Sequence, residues 1–484
     1  MSTARVIAWN TGVQIIGKIV STTLGVIIIG MMTRYLGQDG FGIYSAASAY
    51  FQVFAIMLDL GLNIMLVQML GEKQGDRDYE KRAVSATFTL RVVTAAILIG
   101  SAPFLGLIFY KNPLHQIVLF AIMGSFFFTA LNQIVIGVQQ RFLKMHIVAI
   151  SEVAGRLVLL FGLLIARNMG WGLTRIVIFV SLGGFVNFAI NTLVAKRYAS
   201  FSWNWDVKFW RVLLRRSWPI GLSIIFNLLY FKSDTLILSW VRPYSEVGIY
   251  GAAYRVLEIL VSLPFMYTGV VLPLLANSWA TKNFHRFNLL LKHSYVAMAM
   301  LVAPMVAGSL VLGRQVMIMI AGSDFALSGD ILKILIFAVA IIYFGTVSSH
   351  VIVALDAQLK MMPVYIATSV VTVVGYILFI PQYGMWAAAW LTVFSEACVA
   401  LGATLISLKI AKTSLLWSPI FKSILAAVAM GLLIQPIKNL WLPIPILAGA
   451  VIYPILILAT GALSKETLKE LLAFRRGTPT ADVT

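Results

Sequence analysis

The chain has 484 residues, of which 60% are hydrophobic and only 11% charged, and its mean hydropathy is +0.92. A soluble domain is roughly 25% charged, so this much apolar surface cannot be hidden in a water-soluble core, and the chain is an integral membrane protein. The net charge of +19 would suit a nucleic-acid partner, but its distribution follows a membrane rule instead, and the single cysteine, Cys398, excludes an intrachain disulfide.

Apolar stretches of about 20 residues, the length a helix needs to cross a bilayer, recur from end to end. The roughly ten-residue alternating segments of a β-barrel are absent. Fourteen spans are predicted, over 10–33, 42–69, 84–109, 115–138, 147–166, 173–195, 217–240, 248–275, 293–312, 332–355, 363–381, 385–408, 419–437 and 443–463. The first lacks a small-residue cleavage site and is long enough to span, so it reads as a membrane helix and not as a cleaved signal. With the N-terminus placed in the cytoplasm, 24 basic residues fall in inner segments and 8 in outer loops. This asymmetry fits both termini inside.

An internal repeat is visible. "FGIYSAAS" at 41–48 recurs as "VGIYGAAY" at 247–254, 206 residues on. The copies open spans 2 and 8, so the repeat unit is six helices. An even number gives two halves of the same orientation, related by an axis along the membrane normal, as in secondary transporters. The predicted organisation is an all-α membrane protein. It has a six-helix half with its basic connector (1–205), a second six-helix half (206–412), and two extra helices with a cytoplasmic tail (413–484). The break between halves, "KRYASFSWNWDVKFWRVLLRR" at 196–216, is rich in Trp, Arg and Lys and reads as an amphipathic connector on the inner membrane surface. No nucleotide-binding G-x-x-x-x-G-K-[ST] is present, and no loop is large enough to host catalysis, so an enzyme is not expected.

The opening "WNTGVQIIGKIVSTTLGVIIIGMMTRYLGQDGFGIYSAASAYFQVFAIMLDLGLN" resembles the bacterial polysaccharide flippases of the O-antigen (Wzx-like) type. These belong to the multidrug/oligosaccharidyl-lipid/polysaccharide exporter superfamily. The shared positions are Asn10, Gly12, Arg34, Leu36, Gly37, Gly42, Tyr44, Asp59, Gly61 and Leu62, and "GIYGAAYR" fits in the second half. One departure is Gln68, where many relatives carry Arg. The resemblance implies flipping of an undecaprenyl-pyrophosphate-linked oligosaccharide, such as an O-antigen or other surface polysaccharide repeat unit, across the bacterial inner membrane by alternating access. Its implied partners are the lipid-linked oligosaccharide, membrane lipid and a polysaccharide polymerase, with no nucleic acid. Two sister readings stay open: the lipid II flippases of peptidoglycan synthesis, whose arginine-rich opening is missing here, and cation-coupled multidrug antiporters, usually of twelve spans.

Charges within spans are costly and therefore informative. Five bases lie there, Lys18, Arg91, Arg156, Lys232 and Arg255, and five acids, Asp59, Glu152, Asp234, Glu258 and Glu396. The bases are candidate contacts for a pyrophosphate. Lys18 and Arg91 also suit snorkelling to the interface. Glu152 and Arg156 are spaced i, i+4, and Arg255 and Glu258 i, i+3, so each pair suits a structural ion pair equally well. Lys232 and Asp234, two apart, point in different directions. Asp59 suits a brace at the end of span 2. Glu396, Asp234 and Asp59 are the candidates for H⁺ or Na⁺ coupling, with His350 and Asp356 weaker. No metal or other cofactor is expected. A polyprenyl tail is expected near spans 13 and 14.

Overall fold

The computed structural model describes residues 3–73, 75–355 and 357–462, so Asp356 and the basic tail from Lys465 onward lie outside the described residues. Among the described residues the regular structure is helical. In chain order the helices are α1 (Thr3–Asp59), α2 (Leu62–Glu72), α3 (Arg77–Phe109), α4 (Pro113–Arg141), α5 (Met145–Asn168), α6 (Leu173–Ala195), α7 (Val207–Val241), α8 (Tyr244–Ala280), α9 (Phe284–Ala321), α10 (Ala326–Ala354), α11 (Gln358–Ala411), α12 (Trp417–Ile434) and α13 (Pro443–Ala459). Ten helical stretches among the described residues are long and apolar enough to cross a membrane. Large apolar side chains such as Phe161, Ile178, Leu193, Leu405 and Leu432 stand exposed along them. Water would not tolerate so wide an apolar surface, whereas hydrocarbon requires it, because helices satisfy their backbone internally and offer only side chains to lipid.

Two helices are folded on themselves at a glycine. α1 breaks at Gly37 (φ 66°, ψ −174°) and α11 at Gly384 (φ 59°, ψ −137°). A Cβ makes such backbone costly, and glycine has none. Both breaks fall in the gaps between predicted spans, 10–33 and 42–69 in one case, 363–381 and 385–408 in the other. The stretch 42–69, by contrast, is not one helix. Leu60 (φ 43°) and Gly61 (φ 70°) turn left-handed, so α1 ends at Asp59 and α2 restarts at Leu62.

The described chain divides into two compact units. The first takes 1–252, 320–325 and 365–391, and the second 253–319, 326–364 and the rest from 392. In the first unit the two copies of the repeat meet. A Cβ on Gly42 would strike the Tyr244 carbonyl and approach Gly248 N, and one on Gly248 would strike the Gln38 carbonyl and approach Gly42 N. A Cβ on Gly251 would crowd the Ser45 side chain at 2.6 Å. Phe41, Val247 and Tyr250 seal this backbone-to-backbone crossing, all fully buried. In the second unit α10 is an interior helix, with Ile331, Leu335, Val339, Tyr343 and Val351 fully buried along its length. There α12 and α13 pack on α9 through Ala303, Ala307, Ala426, Ala427, Met430 and Tyr453.

The connector between α6 and α7 is pinned to the first unit. Ser85 Oγ donates to the Ser200 carbonyl at 3.0 Å, Asn204 N donates to Thr89 Oγ1 at 2.9 Å, and Trp210 Nε1 donates to the Ala86 carbonyl at 2.8 Å. Its last basic residues, Lys208, Arg211, Arg215 and Arg216, already belong to the opening turns of α7. Asp206 caps α7 through the Phe209 N–H and bonds the Arg82 guanidinium. The Arg82 hydrogen bond, helped by the Phe209 amide, holds the Asp206 carboxyl below its ordinary value of 3.8.

Gly248→Val is expected to destabilise the fold by about 1–3 kcal/mol or more, because the added carbons meet backbone that cannot rotate away. Gly100→Ala, where a Cβ meets nothing within 4 Å, should leave thermal unfolding in detergent unchanged. A depressed carboxyl stabilises above its unfolded pKa and loses that contribution as pH falls through the folded one. The connector should therefore resist proteolysis above about pH 4 and become cleavable in more acid solution, and Asp206→Asn should erase that dependence.

Candidate functional site

Gly17, Ser21 and Gly25 are four residues apart and line one face of the first arm of α1. That face lies directly on α5. A Cβ on Gly17 would come within 2.5 Å of Ala149 Cβ, and one on Gly25 would collide with the Arg156 guanidinium. The close approach brings three polar side chains to one oxygen. Ser21 Oγ donates to Glu152 Oε1 at 2.6 Å, Arg156 Nη2 donates to the same atom at 3.1 Å, and Lys18 Nζ lies 3.7 Å from it. Two cations share one carboxylate, so the cluster carries a net positive charge. The side chains of Lys18, Glu152 and Arg156 are 42%, 29% and 33% exposed, so the cluster is not sealed. The ammonium and guanidinium retain donors with no partner among the described residues, which suits an anion of several oxygens.

Behind α5 the packing stays tight. A Cβ on Gly155 would sit 2.6 Å from the Gly183 carbonyl of α6. Next to it, Asn191 Nδ2 donates to Asn132 Oδ1 and Asn187 Oδ1, both at 3.1 Å, and Asn132 Nδ2 donates to Asn187 Oδ1 at 3.3 Å. Sequence reasoning missed this amide network. Its signal was the i, i+4 pair Asn187 and Asn191 on an otherwise apolar helix.

The other residues singled out from sequence fall in separate places. Arg91 is 1% exposed. It donates from Nη1 to the Leu58 carbonyl at 2.6 Å and from Nη2 to Asp59 Oδ1 at 3.2 Å. Arg91 and Asp59 thus brace the break where α1 gives way to α2, and Arg91 does not snorkel. Asp234 is fully buried, accepting from Tyr250 OH at 2.5 Å and from the Thr235 hydroxyl at 3.1 Å. In the second unit, Arg255 Nη1 lies 2.8 Å from Glu258 Oε2. Glu396 is 7% exposed on the buried face of α11 that also carries Thr392 and Ser395. It has no hydrogen-bond or ion-pair partner among the described residues. His350 contacts the Thr346 carbonyl at 2.8 Å and Thr268 Oγ1 at 3.4 Å. Of the five candidate cations, the structure brings together Lys18 and Arg156. The described residues hold no group of three or more His, Cys, Asp or Glu suited to a metal.

The chain thus sets a partly exposed cluster of charges on a tightly packed pair of helices long and apolar enough to cross a membrane. Residues 7–279 match the family described as polysaccharide biosynthesis protein, and the chain belongs to that family. A relative from Haloferax volcanii, described as probable flippase AglR, is 22% identical over 96% of this chain and 98% of its own length. Among solved structures, the inward-facing form of a multidrug resistance MATE family transporter of the MOP superfamily has 14% identity, a TM-score of 0.66, and covers 82% of this chain and 98% of its own. A MOP superfamily transporter from Pyrococcus furiosus, described as having a binding pocket of reverse polarity, has 14% identity and a TM-score of 0.62, covering 84% of this chain and 95% of its own. At that identity the likeness establishes the fold.

Gly25→Ala is expected to push the Arg156 guanidinium off Glu152 while leaving the helices in place. It should reproduce the transport defect of Arg156→Ala at normal membrane level, measured by complementation and quantitative blotting.

Proposed function

We propose that this protein flips a lipid-linked oligosaccharide, an undecaprenyl-pyrophosphate-linked surface-polysaccharide unit, across the bacterial inner membrane with both termini in the cytoplasm. The observation that carries the reading is the cluster on Glu152. Two cations and one carboxylate, partly exposed inside a membrane helix pair, form a net positive seat for a diphosphate. Membership of a polysaccharide biosynthesis family supports the substrate class, and the name of the Haloferax volcanii relative supports flipping. Lys18 and Arg156 hold the diphosphate by charge-assisted contacts. Glu152 keeps the two cations apart and aimed, and gives up part of its hold on them as the anion arrives. The polyprenyl tail stays in lipid. Alternating access carries the head group across, and relatives of the same fold solved inward-facing and outward-facing support that cycle.

The reading extends to coupling. A carboxyl nearly buried without a partner is costly as an anion, and it is relieved by a proton or a bound cation. Glu396 is in that position, and we assign it the coupling ion, H⁺ or Na⁺.

Deletion of the gene should deplete surface polysaccharide and accumulate the lipid-linked intermediate, with rescue by wild type. Lys18→Ala and Arg156→Ala should each lose about tenfold in rescue or more, since a hydrogen bond to a charged group contributes about 1.5–3 kcal/mol. An unchanged glycan and unchanged intermediates on deletion would overturn the oligosaccharide reading in favour of drug/cation antiport. Glu396→Gln should leave cargo binding intact and abolish the dependence of transport on the ion gradient. Gradient-dependent transport in that variant would remove Glu396 from the mechanism.

A further inference from the structure

The first unit carries a second basic feature, separate from the Glu152 cluster. At the end where α2 meets α3, α4 meets α5 and α6 meets the connector, a cavity of about 620 Å³ opens. Its walls bear Arg77, Lys81, Lys196 and Arg197, against a single carboxylate, Glu80. That carboxylate is already taken by Arg141 at 3.5 Å. None of the four cations has an ion-pair partner among the described residues. Arg141 itself packs behind the wall over the Phe142 ring, and its Nε is buried with no acceptor.

Two further properties distinguish this cavity from an ordinary cytoplasmic charge patch. First, it is built. The wall segment is fixed by Ser85 Oγ on the Ser200 carbonyl, by Tyr198 OH on Gln139 Oε1 and by the Phe142–Tyr198 ring contact at 4.9 Å. Its apolar lining comes from the half-buried Phe142 ring and from Leu70 and Val84, which are buried. A phosphate attached to a glycerol and acyl chains can lie against that ring. Second, Trp203 and Trp205 follow the wall within five residues, stacked with ring centroids 6.1 Å apart and each 65% exposed. Tryptophan is enriched at the headgroup level of membrane proteins, which fits a cavity at the depth of lipid phosphates. Basic pockets at that depth take anionic headgroups.

We propose that this cavity binds the phosphate of an anionic membrane phospholipid, with Arg77, Lys81, Lys196 and Arg197 as its ligands. The assignment stands independently of the cargo, because it concerns other residues and another charge.

The test is native mass spectrometry of the purified full chain in detergent, titrated with phosphatidylglycerol or with phosphatidylcholine of the same acyl chains. Wild type should retain phosphatidylglycerol in preference to phosphatidylcholine. Arg77→Gln/Arg197→Gln should lose that retention about tenfold, as removal of two surface cations from an anionic headgroup implies. Lys81→Gln/Lys196→Gln serves as a second pair should the first unfold. Lys208→Gln/Arg211→Gln, which removes two exposed charges of α7 outside the cavity, should retain the lipid. Equal retention of both lipids, or loss in the Lys208/Arg211 variant as large as in the cavity variants, would overturn the proposal. So would binding of inorganic phosphate without any lipid. If the cavity variants lose undecaprenyl pyrophosphate while keeping phosphatidylglycerol, the cavity belongs to the cargo and the phospholipid assignment falls. Rescue of the glycan by wild type is read separately, so failure here leaves the flippase reading standing.

Discussion

Three polar side chains converge on one carboxylate oxygen, Glu152 Oε1, inside a helix pair that has to sit in hydrocarbon. Neither cation is cheap there alone, and the carboxylate makes both tolerable. What permits the meeting is the absence of side-chain bulk. Gly17, Ser21 and Gly25 let α1 lie against α5 closely enough for Lys18 and Arg156 to reach the same atom. A side chain at Gly17 would press on Ala149 and part the helices, while one at Gly25 would displace the Arg156 guanidinium itself. The site therefore depends on residues that never touch a ligand.

The same device recurs wherever this chain brings backbones together. Gly42 and Gly248 meet at the crossing of the two repeat copies, and Gly155 meets Gly183 behind the cluster. Within a membrane no hydrophobic force drives helix on helix, so close van der Waals contact over small residues carries much of the association. Other charges within the helices are paired locally. Arg91 is spent on Asp59 and the Leu58 carbonyl, and Arg255 lies on Glu258. The cluster on Glu152 and the cavity around Arg77 and Arg197 are partly exposed and positively biased.

Much of the architecture was readable from the sequence, because bilayer thickness forces a run length and helices must fill it. The glycine breaks at Gly37 and Gly384 fall where hydropathy dips. The pairs Glu152–Arg156 and Arg255–Glu258 follow from the periodicity of a helix alone. The union of Lys18 with Glu152 does not. It joins residues on α1 and α5, and a register between helices is set by packing, which no local pattern encodes. Arg91 shows the same limit from the other side. Eight residues into an apolar span it suits a snorkelling cation, yet the left-handed turn at Leu60 and Gly61 presents it with the end of a broken helix to hold. The cavity at the connector was visible only as charge and tryptophan, not as a shaped space.

The central claim is that Lys18 and Arg156 together hold a lipid diphosphate. It is tested most directly by the binding of undecaprenyl pyrophosphate, against undecaprenol, to the purified protein and to Lys18→Gln/Arg156→Gln. The account predicts that wild type prefers the diphosphate and that the double variant binds the two lipids alike. A double variant that keeps the full preference would contradict it and return both cations to a purely structural role beside Glu152.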